Sequence, residues 1–192
     1  PFDRLWLGCT PERPRYDPSV DGGLCIEIMG TEPLQLPPET FNRPPPEPVN
    51  LAAGGMVRVT ARGFLVRDLD STLRCLSRHL GWKCDGSVET VLDEGYRRAR
   101  MRFALTHSAS LDVIEPTRWN SEAGRYLHSW GPGPWYIRIA VNDLRARAAD
   151  LEARGTPFTW IESSASTSGR SLIRVDPTCL DGQWFEFEEY RP

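Results

Sequence analysis

Lysine is almost missing from this chain: of 23 Lys+Arg in 192 residues, only Lys83 is a lysine. The other cationic side chains are guanidiniums, which keep their charge and bind carboxylates through paired hydrogen bonds. Their scatter along the chain reads as a GC-rich coding bias, not as a phosphate-binding surface. No charge sign dominates either, since 26 Asp+Glu bring the formal net charge to −3. That balance gives no whole-chain attraction to nucleic acid or to an anionic membrane, so neither is expected as a partner. Long hydrophobic runs are absent: none approaches the roughly 20 residues of a membrane span, and no basic-then-apolar segment opens the sequence. The cysteines, Cys9, Cys25, Cys75, Cys84 and Cys179, are odd in number and contain no CxxC pair. In a chain of this length they exclude a disulfide scaffold, and reduced thiols in a cytoplasmic protein are expected. Only His79, His107 and His128 are histidines, and no two have metal-ligand spacing. No G-x-S-x-G nucleophile elbow is present to anchor a Ser-His-Asp triad. Gly131-Pro132-Gly133-Pro134 lacks the amide donors of a phosphate cradle, because half of it is proline.

What the chain does have is repetition, which constrains architecture before any single residue is interpreted. Val66-Arg67-Asp68-Leu69 recurs as Val141-Asn142-Asp143-Leu144, with Asp68 and Asp143 separated by 75 positions. Leu111-Asp112-Val113-Ile114-Glu115 ends the first copy and Trp184-Phe185-Glu186-Phe187-Glu188 ends the second, with Asp112 and Glu186 separated by 74. A third, partial copy precedes them. Asp17 to Glu27 matches Asp176 to Glu186 at a constant offset of 159. Residues 1–30 are therefore expected to be the terminal strands of an incomplete preceding module. A Pro-rich linker over 31–56 follows, and then a two-module domain over 57–192, with modules at 57–116 and 134–190. A two-stranded remnant is marginal alone, so it is expected to pair with upstream modules or a second copy.

Within the first module, Val57 to Val66 reads as a strand. Asp68 then caps a helix reaching about His79, with Leu69, Leu73, Leu76 and Leu80 on one stripe and Gly81 as its stop. Strands are expected at Thr90 to Val91, Arg97 to Leu105 and Ser110 to Ile114, with Pro116 breaking the last. Ser121 to Trp130 predicts a short helix, and Gly131 to Pro134 a rigid turn. The second module predicts a strand over Trp135 to Val141 and a helix from Asp143 to about Arg154 with Leu144, Ala148 and Leu151 inward. Strands at Phe158 to Glu162, Ser171 to Val175 and Gln183 to Glu188 complete it. Arg98, Arg100 and Arg102 share one strand face and are expected to be exposed or paired with acids.

The order βαβββ-βαβββ, with V-x-D-L after the first strand of each copy and Asp176-Pro177 to Gly182 before the last strand, resembles the vicinal oxygen chelate superfamily. Glyoxalases, methylmalonyl-CoA epimerases, extradiol dioxygenases and bleomycin-binding resistance proteins belong to it. The resemblance covers about Val57 to Tyr190. It implies an α+β fold in which paired βαβββ modules form a half-open mixed β-barrel with helices outside. It also implies a divalent metal held by a His seven residues before each V-x-D-L Asp and by an acidic or Gln residue on each last strand.

Here those positions are Ala61, Tyr136, Asp112 and Glu186, so both histidines are replaced. An alanine cannot ligate, and a neutral phenol is a poor ligand for metals that favour imidazole. No metal cofactor is therefore expected in the 57–192 pair, and a divalent metal is left to the upstream modules of an intact protein. Strand alternation sets Arg138 and Ala140 beside Tyr136, and Trp184 and Glu188 beside Glu186. The expected site is an Asp112/Glu186/Arg138 cluster in which the guanidinium replaces the metal's charge. Tyr136 and Arg138 are its candidate catalytic groups, and Asp112, Glu186, Trp184 and Ala61 are its ligand contacts. Trp130, Trp135 and Trp160 are further candidates for an aromatic wall beside Trp184. The bland alternative for each is a satisfied ion network and an aromatic core.

Three functions are compatible with this pattern. The first is a glyoxalase-like module that binds a small molecule, or a degenerate barrel supporting another. The second is the tail of a tandem lyase, isomerase or dioxygenase whose metal site lies in missing upstream modules, with Glu27 as one ligand. The third is metal-independent acid/base chemistry, with Asp112 and Glu186 as the proton carriers and Arg138 or Tyr136 stabilising an oxyanion.

Overall fold

The computed structural model describes residues 4–6, 17, 22–29, 47–103, 108–162, 170–180 and 182–191. Strands β1 (Arg4–Trp6) and β2 (Glu27–Met29) form an antiparallel pair with Trp6 opposite Glu27. The first module follows as β3 (Met56–Leu65), α1 (Leu69–Leu80), β4 (Glu89–Val91), β5 (Tyr96–Met101) and β6 (Ser110–Pro116). Helix α2 (Glu122–Trp130) leads to the second module: β7 (Gly133–Val141), α3 (Leu144–Ala153), β8 (Phe158–Ile161), β9 (Leu172–Val175) and β10 (Trp184–Glu189). Both βαβββ modules expected from the sequence are present, and the class is α+β. The strands hydrogen-bond in the order β4-β5-β6-β3-β7-β10-β9-β8. The sheet is mixed, because β10 runs parallel to β7 and antiparallel to β9. By packing, the chain divides into two compact units. One holds 1–43, 64–105 and 112–134; the other holds 44–63, 106–111 and 135–192.

The repeated V-x-D-L pattern works the same way in both modules. Asp68 accepts from the Ser71 amide at 2.8 Å and Asp143 from the Ala146 amide at 2.9 Å, each satisfying an orphan N–H of the helix it opens. A second orphan amide is taken by a carboxylate from the module's last strand. Leu69 N donates to Glu115 Oε2 at 3.0 Å, and Leu144 N donates to Glu189 Oε2 at 2.7 Å. Glu115 and Glu189 are 74 residues apart, so they share the repeat's offset. Each helix start is thus pinned to its own final strand. At the far end of α1, Gly81 adopts φ 67°, the left-handed conformation that ends a helix without a Cβ clash.

Strand boundaries differ from expectation by more than one residue at three places, the first being β5, which ends at Met101 short of the expected Leu105. Pro116 is the last residue of β6, a position where its missing N–H breaks no interior ladder. Gly133 and Pro134 open β7 and do not belong to a detached turn. Leu105 and His107 lie outside the described residues, as do most of the Pro-rich segment and Cys9. The last part of that segment is ordered: Pro48–Asn50 forms a 3-10 turn. The Asn142 side-chain amide donates to the carbonyls of Pro48, Leu51 and Ala52 at 3.0 to 3.2 Å. Gly54 completes this contact. It has φ +76°, and a Cβ there would lie 2.9 Å from the Arg147 amide nitrogen.

The core of the second unit follows strand parity. Ile139 and Val141 of β7, Ile173 and Val175 of β9 and Phe187 of β10 pack against Leu144, Ala148 and Leu151 of α3. Three strands and one helix thereby commit their odd-numbered strand positions to apolar packing. The even-numbered positions are left for other chemistry. In the first unit α1 buries Leu69, Thr72 and Leu76, while Leu73 and Leu80 are half-buried. Thr72 replaces a leucine of the expected stripe because its hydroxyl donates to the Gly22 carbonyl at 3.3 Å and the Asp68 carbonyl at 2.8 Å.

Candidate functional site

The parallel pairing of β7 with β10 sets Tyr136 opposite Trp184, Arg138 opposite Glu186 and Ala140 opposite Glu188. On the other side of β10, β9 sets Arg174 opposite Glu186. One even-numbered row therefore reads Arg138, Glu186, Arg174 across three adjacent strands. Glu186 Oε2 accepts from Arg138 Nε at 2.8 Å and Nη2 at 2.6 Å. Its Oε1 accepts from Arg174 Nε at 2.9 Å and Nη2 at 2.7 Å. Arg138 and Glu186 are buried, at 3% and 1% exposure. Burial alone would disfavour the Glu186 carboxylate, but the charges and hydrogen bonds of Arg138 and Arg174 outweigh it and hold its pKa below the ordinary value. Burial likewise opposes the Arg138 charge, and Glu186, Tyr136 and Glu188 overcompensate, raising its pKa above the ordinary arginine value.

Aromatic rings flank this row. The Arg138 guanidinium lies 5.4 Å from the Tyr136 ring centroid, and that of Arg174 lies 4.9 Å from the Trp184 ring. Trp135 meets Tyr136 edge-on at 5.7 Å and Trp184 at 6.2 Å. Gly63 supplies the space for Tyr136, since a Cβ there would stand 2.4 Å from the phenol ring. Glu188 is buried as well, with Arg170 at 4.0 Å.

The structure brings Arg138 to Glu186 and places Tyr136, Trp184 and buried Ala61 in the same unit. Asp112 belongs to the other unit, where Arg100 binds it through Nε at 2.8 Å and Nη2 at 3.0 Å. Arg98 Nη1 lies 3.6 Å from the same carboxylate, and Arg98 Nη2 pairs with Glu89. Asp112 is fully buried and Arg98 is 1% exposed, so within this run Arg98 and Arg100 are paired with acids, as one branch of the expectation had it, and Arg102 is exposed and paired with Asp85. The expected aromatic wall also separates. Trp130 is exposed and Trp160 pairs with Phe158, whereas Trp135 is buried beside half-buried Trp184. His79 and His128 are exposed.

Arg174 is the participant that sequence reasoning missed. A signal existed: Arg100 and Arg174 are 74 residues apart, as are Asp112 and Glu186, so each module repeats one arginine-to-acid pair. The pairing shows why the donor set does not fit a divalent metal. Both Glu186 oxygens are committed to guanidiniums, Tyr136 and Ala61 replace imidazoles, and a dication beside Arg138 and Arg174 would meet two like charges. Among the described residues, no group of three His, Cys, Asp or Glu side chains is placed to hold a metal ion.

The fold is that of the vicinal oxygen chelate superfamily. Its solved representatives that match this chain include methylmalonyl-CoA epimerase from Mycobacterium tuberculosis, at 25% identity and a TM-score of 0.62 over 74% of this chain and 93% of that one. A Streptomyces coelicolor methylmalonyl-CoA epimerase variant in complex with 2-nitronate-propionyl-CoA matches at 23% identity and TM-score 0.61, covering 72% of this chain and all of that one. An epimerase in complex with methylmalonyl-CoA and NH4+ matches at 23% identity and TM-score 0.60, covering 71% and 100%. No family model matches the sequence, and no curated protein matches it significantly.

Proposed function

We propose that this chain binds a small organic molecule bearing carbonyl or carboxylate oxygens, at a guanidinium row on the positions where the superfamily resemblance implies a metal. The observation that carries this reading is the Arg138–Glu186–Arg174 row. Glu186 binds Nε and Nη2 of Arg138 through one oxygen and Arg174 through the other. A buried guanidinium held on an adjacent carboxylate suits an oxygen that is or becomes anionic. Tyr136 is positioned by the same strand to contact that oxygen, and Trp184 offers its ring to the carbon skeleton. In this reading Arg138 and Tyr136 do the electrostatic work that a divalent metal would otherwise supply. The acyl-CoA ligands of two structural neighbours carry the same oxygen chemistry.

The test is calorimetric titration with methylmalonyl-CoA and with free methylmalonate, in the presence and absence of a chelator. Binding is expected to survive chelation. Tyr136→Phe should weaken it several-fold, and Arg138→Met by about tenfold or more, the value of a charge-assisted hydrogen bond. Ligand binding that disappears on chelation and returns with a divalent ion would refute the reading. So would a fully folded Arg138→Met protein that binds normally, and an absence of any acyl binding would reduce the row to a structural ion network.

A further inference from the structure

A second cationic surface lies in the unit that holds β7 to β10 and takes no part in the Arg138 row. It is an open groove of about 810 Å³ beside the N-terminus of α3, within the size range of small-molecule sites. Arg145, Arg170 and Arg191 line it from three separate segments, with Trp160 of β8 and Ser171 completing the wall. Arg145 and Arg191 are exposed and make no ion pair with any described residue, unlike Arg97, Arg98, Arg100 and Arg102. Arg170 lies 4.0 Å from Glu188, and the acids among the described lining residues are Glu162 and Glu189. Glu189 moreover spends Oε2 on the Leu144 amide. Trp160 is 41% exposed, touching Phe158 edge-on at 6.4 Å and 73°. A large indole left partly in water beside Arg145 and Arg191, which have no ion pair among the described residues, offers stacking area next to anion donors.

We propose that this groove binds a small phosphorylated molecule carrying a planar ring, of the nucleotide class. The guanidiniums take the phosphate oxygens through paired hydrogen bonds and Trp160 stacks on the ring. A bare anion would leave the indole unused, and a neutral aromatic would leave the arginines unused.

ADP and inorganic pyrophosphate, titrated separately into the full chain at low salt, separate these contributions. ADP should bind, more weakly as salt rises. Arg145→Ala with Arg191→Ala should weaken both ligands by about tenfold or more, because both use the guanidiniums. Trp160→Ala should weaken ADP by about tenfold while changing pyrophosphate by less than about twofold, because only ADP stacks. These side chains are exposed, so their replacement leaves the core intact. Arg138→Met should leave ADP affinity unchanged, which separates this groove from the acyl site. No ADP binding at millimolar concentration, or affinity indifferent to the arginine pair, would overturn the proposal. Tighter binding of a short single-stranded oligonucleotide than of ADP would also overturn it, assigning the groove to nucleic acid.

Discussion

Glu186 is held by four hydrogen bonds from two guanidiniums, and its folded-state pKa lies below the ordinary 4.5. A depressed carboxylate pKa contributes stability that is present above the unfolded value and is lost as pH falls through the folded one. Urea unfolding midpoints should therefore decline below about pH 4.5, through protonation of this and similar carboxylates. At neutral pH, Glu186→Gln should cost about 3–5 kcal/mol, because Arg138 and Arg174 then keep their charges without the anion between them. The gap between wild type and variant should narrow as pH falls below about 4.5, because the unfolded carboxyl then takes up a proton that the folded one resists. A gap unchanged from neutral pH to pH 3 would contradict the assigned ion pairing. The arginine content foreshadows this chemistry, since a lysine at 138 or 174 could not grip a carboxylate through two nitrogens.

Each V-x-D-L segment becomes a helix start whose first free amides are met by its own Asp and by a Glu from the module's last strand. Asp68→Ala and Asp143→Ala should each lower stability by about 1 kcal/mol, read as a drop in melting temperature. The Asp143 variant should also loosen the groove beside α3. Equal stability in both variants and wild type would mean that the caps are redundant with Glu115 and Glu189. The elements themselves were legible from capping residues and periodicity: α1 and α3 begin one residue after the Asp that announces them. Less legible were the end of β6 and the beginning of β7, where proline sits at a strand terminus instead of excluding the strand. Proline at such a position costs little because no interior ladder bond is lost, and local sequence alone does not say whether a position is terminal.

At the scale of the molecule, each unit buries apolar side chains, and in one of them β7, β9 and β10 meet α3. Amide exchange should be slowest for Ile139, Val141 and Phe187, whose side chains lie in that core, and fast for the Pro48–Asn50 turn. Faster exchange at Val141 than in exposed parts of α2 would contradict this packing. Among the described residues no helix is long and apolar enough to cross a membrane. The modules were visible in the sequence because duplication preserves spacing. What each module does with its acids was not, because the partner of a buried carboxylate is chosen by strand register.

The sequence by itself determined the two βαβββ modules, their helix caps and the replacement of both histidine positions by Ala61 and Tyr136, since these depend on residue type and spacing along one chain. Only the tertiary structure decided that Glu186 lies between Arg138 and Arg174 while Asp112 is held by Arg100. Both outcomes depend on which strands become neighbours, and strands β7, β9 and β10 are brought together by a core that their odd-numbered side chains form. The even-numbered Arg138 and Glu186, both buried, then pair across the sheet, because a buried charge without a partner is costly.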